Sequence, residues 1–142
     1  MVRIVIFVAA LFAAVAAGLQ MAKAEIVVSV SISQQSMTVT VDGLDRFVWP
    51  VSTARRGYRT PTGSYKVQSM HKMHYSSLFD NAPMPFTIFF NGHYAIHGTY
   101  ETKKLGRPAS AGCIRLHPDD ARFLFELVKE RGPESLQVVL ES

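Results

Sequence analysis

The chain has a single cysteine, Cys113, in the run Ser110-Ala111-Gly112-Cys113-Ile114-Arg115-Leu116, downstream of Ile96-His97-Gly98-Thr99. A cysteine behind a Ser-x-Gly turn, with a histidine to take its proton, has the parts of an acyl-transfer nucleophile. A free thiol titrates at about 8.5, so at neutral pH it needs a base. His97 can accept that proton and hand it back to a leaving amine. The turn at Ser110, Ala111 and Gly112 is suited to aim backbone N–H groups at a developing oxyanion. Arg115, two residues past the thiol, suits bidentate binding of a substrate carboxylate, or a local acid takes it as a partner. Two quieter readings stand beside this one. Cys113 is a buried, inert small hydrophobe, or His93, His97 and Cys113 share a metal, although zinc sites favour tighter paired ligand spacings.

The start of the chain bears on where this chemistry would happen. Arg3 precedes an uncharged apolar run from Ile4 to Leu19, and Ala22-Lys23-Ala24 has small residues at the two positions a signal peptidase reads. Residues 1–24 are therefore expected to be a secretory signal cleaved after Ala24. An uncleaved anchor is the rival, but the run is short for a span of about 20 residues. The remainder, 25–142, reads as one domain with no second long apolar run, so no stable membrane insertion is expected once the signal is gone. A lone cysteine in an exported chain has no internal disulfide partner. Arg3 and Lys23 leave with the signal, which halves the formal charge of +4. With no Lys/Arg-rich run, nucleic-acid binding has little support.

The elements that must hold these residues read as mostly β with one main helix. Residues 26–32 and 36–41 alternate as strands, and Asp42-Gly43 turns the second into 46–49. Pro50 places that third segment at an edge. A Pro- and Gly-punctuated loop over 55–63 leads to a strand over 64–69, and a hairpin over 86–90 and 94–97 turns at Asn91-Gly92. Pro118 opens a helix whose Ala121, Leu124, Phe125 and Val128 form a core-facing stripe, closed by Gly132-Pro133. A last strand covers 136–140. Residues 71–85, with two histidines and neither period, read as a long irregular loop suited to act as a lid. Tyr75 on it is the better groove candidate, whereas Trp49 reads as packing. His71, His74, His93 and His117 read first as surface or capping residues.

His97-Gly98-Thr99 followed by Ser110-Ala111-Gly112-Cys113-Ile114-Arg115-Leu116 resembles the signature of the L,D-transpeptidases of the YkuD domain family. Val51-Ser52-Thr53 and Thr60-Pro61-Thr62-Gly63 are similar to that family's upstream segment. The resemblance covers essentially all of 25–142. It implies a β-sandwich with a capping loop over the cysteine, and no metal or organic cofactor. It implies action on peptidoglycan stem tetrapeptides in the periplasm. Cys113 would form a thioester with loss of terminal D-alanine, then pass the acyl group to an amine, giving 3→3 cross-links when that amine belongs to another stem. By the same resemblance the Gly98 carbonyl holds the His97 ring and carbapenems acylate Cys113; Arg115, Thr99 and Tyr75 are candidate substrate contacts. The family usually has His where this chain has Ala111, which bears on the rate and on the choice of acceptor. Two other readings stay open on the residues: a thiol L,D-carboxypeptidase or endopeptidase, and a catalytically silent wall-binding module.

Overall fold

The computed structural model describes residues 25–142; the expected secretory signal over 1–24 lies outside the described residues. Two sheets face one another. The first has five strands: β1 (Ile26–Ser31), β2 (Ser36–Val41), β3 (Leu44–Pro50), β4 (Gly63–Lys66) and β9 (Leu136–Glu141), in the order β3-β2-β1-β9-β4. The second has four: β5 (Ser69–Tyr75), β6 (Pro83–Asn91), β7 (Tyr94–Gly98) and β8 (Ile114–Leu116), in that order. Among the described strands, β1–β9 and β7–β8 pair in parallel and the other neighbours are antiparallel.

Strand alternation produces the sandwich. Ile26, Val28 and Val30 of β1, Met37 and Val39 of β2, and Leu136, Val138 and Leu140 of β9 turn one face of the first sheet inward. They meet Ile88, Phe90, Ile96, Ile114 and Leu116 of the second sheet in one core. Burying such side chains stabilises by about 1.5–3 kcal/mol each relative to exposure. The helix α1 (Pro118–Arg131) closes one side, with Ala121, Leu124, Phe125 and Val128 buried. His117 caps it, its Nδ1 accepting from the Asp119 N–H at 3.1 Å. Phe123 of α1 meets Phe47 and Trp49 of β3 edge-on at 4.9 and 6.0 Å between ring centres. Trp49 is thus packing, and Pro50 ends an edge strand as expected. Among the described residues no helix is long and apolar enough to cross a membrane.

Two segments differ from the sequence reading. The strand expected over 64–69 is two strands in different sheets, β4 and the start of β5, joined at Val67-Gln68. The loop expected over 71–85 is largely a hairpin. His71, Met73, His74 and Tyr75 of β5 pair with Thr87, Pro85, Met84 and Pro83 of β6, and only 76–82 remains a loop. Pro83 and Pro85 hid this strand. They are tolerated because the β7 ladder begins at Ile88, so this stretch of β6 pairs with β5 alone.

Candidate active site

The parallel β7–β8 ladder sets the site. His97 is the register partner of Arg115, and Ile96 that of Ile114. Paired residues share a face, so the isoleucines enter the core while His97, Arg115 and, two residues before it, Cys113 turn the other way. All three line one cavity of about 490 Å³. Thr99, Ser110 and Ala111 line it as well. The hairpin tip, Ser76 to Phe79 with Ala82, supplies the opposite wall together with Met84 and Phe89. That tip is tied to itself: the Phe79 N–H donates to Ser76 Oγ at 3.0 Å and the Ser76 N–H to the Ala82 carbonyl at 3.0 Å.

His97 is 6 % exposed, and its Nδ1 lies 2.7 Å from the Gly98 carbonyl oxygen. A carbonyl only accepts, so Nδ1 carries the hydrogen and Nε2 keeps its lone pair for a proton. Burial pulls the His97 pKa from 6.5 to about 4, against the support of the Gly98 carbonyl, with Arg115 and His74 adding to the fall. The imidazole is neutral at physiological pH. Burial also pushes the Cys113 thiol up, while the Ala95 backbone and the Arg115 charge oppose that rise. The resting pair is therefore a neutral thiol and a neutral base. The Cys113 Sγ–H donates weakly to the His93 carbonyl at 3.6 Å.

The turn that leads into Cys113 is braced by polar bonds. Ser110 Oγ donates to the Cys113 carbonyl at 2.6 Å and accepts from the Gly112 N–H at 3.0 Å. Thr60 Oγ1 donates to the Gly112 carbonyl at 2.8 Å. Gly112 has φ +133°, and a Cβ there would sit 2.7 Å from Tyr94 Cε1. The Gly112 N–H, expected to face an oxyanion, is thus already held by Ser110. Among the described residues the Cys113 N–H has no acceptor. At Gly98 a Cβ would lie 3.1 Å from Pro85 Cγ and 3.2 Å from Pro118 Cα. Its absence makes room for two prolines.

Arg115 takes the local acid, the second of the two partners its chemistry suggests, and Tyr75 differs from expectation. Arg115 Nη1 lies 3.3 Å from Glu101 Oε2, a carboxylate that Lys104 also holds at 3.2 Å. First the Lys104 hydrogen bond and charge, then Arg115, keep Glu101 below the usual carboxylate range. Tyr75 is 57 % exposed and does not line the cavity. Strand alternation turns it away and turns its neighbour His74 in, with His74 edge-on to Phe89 at 5.1 Å. His93, weighed from the sequence only as a metal ligand, lines the site, and so do His74, Phe79, Tyr100, Glu101 and Arg55, which were not singled out for it. Once β5 is known to be a strand, its alternation was the signal for His74. Among the described residues no group of three or more His, Cys, Asp or Glu is placed to hold a metal ion.

A model of the YkuD family, the L,D-transpeptidase catalytic domain, matches residues 25–139. The chain belongs to this family. It is 27% identical over 105 residues to the putative L,D-transpeptidase YkuD of Bacillus subtilis, covering 71% of this chain and 59% of that one. Its fold matches an L,D-transpeptidase from Mycobacterium tuberculosis with TM-score 0.75 at 26% identity, over 84% of this chain and 58% of that one. It also matches L,D-transpeptidase 3 of the same organism, in complex with a faropenem-derived adduct, with TM-score 0.71 at 24% identity, over 84% of this chain and 61% of that one. The chain therefore spans about three fifths of the length of these relatives, and the shared part is the catalytic domain fold.

Proposed function

We propose that this chain is an exported cysteine L,D-transpeptidase acting on peptidoglycan stem tetrapeptides in the periplasm. The observation that carries the reading is the β7–β8 register, which places His97 and Cys113 on one face and in one cavity. The Arg3, Ile4–Leu19 and Ala22-Lys23-Ala24 pattern supports export.

The neutral pair suggests the order of events. A bound stem presents the carbonyl before its terminal D-alanine to Sγ. Nε2 of His97 takes the thiol proton as sulfur attacks, which avoids a free thiolate in a buried site. The oxyanion of the tetrahedral intermediate accepts from the Cys113 N–H. The imidazolium returns its proton to the D-alanine nitrogen, the C–N bond breaks, and the acyl group remains as a thioester. An acceptor amine attacks, His97 takes its proton, and the thiol is restored as sulfur leaves. Arg115, held by Glu101, supplies positive charge beside sulfur. Acceptor chemistry other than 3→3 cross-linking, including hydrolysis, would follow the same steps.

The test is the mature protein and Cys113→Ala with disaccharide-tetrapeptide, read by mass spectrometry. D-alanine loss with cross-linked dimers, absent from the variant, is expected. Tripeptide alone would make hydrolysis the reaction, and no turnover by either protein would leave a wall-binding module. Incubation with a carbapenem should add one drug mass to Cys113; an unchanged intact mass would count against a reactive thiol.

A further inference from the structure

Two arginines, Arg55 and Arg115, and one acid, Glu101, line the cavity. Arg115 and Glu101 are paired with each other. Among the described residues no carboxylate pairs with Arg55. An arginine facing a ligand cavity without an acid of its own has its planar fork available to an incoming carboxylate.

Arg55 is also held in place. Its backbone N–H donates to the Ser110 carbonyl at 2.9 Å, in the turn that carries the nucleophile. Its guanidinium carbon lies 4.3 Å from the centre of the Tyr58 ring. Its Nη1 makes a long contact of 3.4 Å with the Ala109 carbonyl. Tyr58 in turn meets Phe79 of the hairpin tip edge-on, with ring centres 6.4 Å apart. The arginine thus sits where the nucleophile turn and the capping hairpin come together. Stacking on Tyr58 limits its rotamers while leaving the fork's edge open.

We propose that Arg55, rather than Arg115, reads a carboxylate of the donor stem peptide, and that the Tyr58–Phe79 contact holds it at the mouth of the cavity. This assignment deepens the proposed function and rests on its choice of substrate, a peptide rich in carboxylates. It makes Arg55 a binding residue with no part in the bond-breaking step. Arg115 keeps its electrostatic place beside Cys113.

The test separates binding from chemistry. Tetrapeptide affinity is measured by calorimetry on Cys113→Ala, which cannot turn over, alone and with Arg55→Ala or Arg55→Lys. Arg55→Ala should weaken binding roughly tenfold or more, the size of one lost charge-assisted pair. Arg55→Lys should recover part of it, since it keeps charge but not the fork. Tetrapeptides with each carboxylate amidated in turn should include one that binds the parent and Arg55→Ala equally. Unchanged affinity in Arg55→Ala, or a loss that persists equally for every amidated peptide, would overturn the assignment. Turnover by the unmodified enzyme with unchanged Arg55→Ala affinity would reject only this inference. Absence of turnover together with an Arg55-dependent affinity would reject only the transpeptidase reading.

Discussion

His97 has lost most of its water, and that fixes how it can work. A buried imidazole with a pKa of about 4 resists charging except transiently. Activity that needs the neutral ring should therefore persist well below the pH at which an ordinary histidine protonates. The acid limb of kcat/KM is expected close to pH 4 to 5, measured as D-alanine release across a buffer series. A limb near 6.5 would mean that the site opens to water. Burial pushes the Cys113 thiol in the opposite sense, so labelling by iodoacetamide at neutral pH is slow and climbs only above the usual thiol range. Under the proposed mechanism slow labelling is no sign of a dead enzyme, because there His97 takes the thiol proton only during attack. At Ala111 the side chain facing the cavity is a methyl group, and the imidazoles nearby come from His74 and His93. The sequence made Cys113 and His97 legible through their spacing. It could not show that Glu101 claims Arg115, because that pair joins residues 14 apart across the site.

At the level of elements, the Ser110–Cys113 turn depends on backbone shape more than on side chains. Gly112 sits at φ +133° with Tyr94 Cε1 and the Arg59 carbonyl where a Cβ would go, at 2.7 and 3.0 Å. Gly112→Ala must strain the turn or push Tyr94 aside, at a cost of about 1–3 kcal/mol. Turnover should fall at least tenfold and Tm should drop by several degrees; an unchanged kcat would show that the turn does not place sulfur. Strands with one buried face, such as β2, and the striped helix α1 were plain in the sequence because alternation and the 3.6-residue period mark them. The β5–β6 hairpin was not. Its outer part covers a cavity rather than the core, so its polar and apolar residues show no clean period, and two prolines read as loop. Tyr75 and His74 traded roles for that reason. A one-residue difference in facing decides which of two neighbours enters the site.

For the molecule as a whole, His97 ties stability to acidity. Its folded pKa, about 4, lies below the ordinary 6.5. Between these values the unfolded chain binds the proton and the folded one does not. Stability present above pH 6.5 is thus lost as pH falls toward 4 and levels off below it, by up to about 3 kcal/mol. Urea unfolding at pH 7 and 4.5 should show this loss, and His97→Gln should remove that share of the slope. An equal slope in the variant would place the titration elsewhere. The two sheets were foreseeable as mostly antiparallel β, but their order was not, since the pairing of β1 with β9 joins strands about 110 residues apart and leaves no local signal.

That pairing gives the domain a clasp. β9 lies between β1 and β4, so the place between these two strands of the five-stranded sheet stays vacant until Leu136–Glu141 is in position. Every earlier portion has two strand edges with nothing between them and an uncovered apolar face. The sheet is built to remain unfinished while its earlier strands are made, and to lock only when β9 arrives. Genetic or proteolytic loss of the stretch from Leu136 onward should then leave no weakened enzyme to assay, only material for degradation.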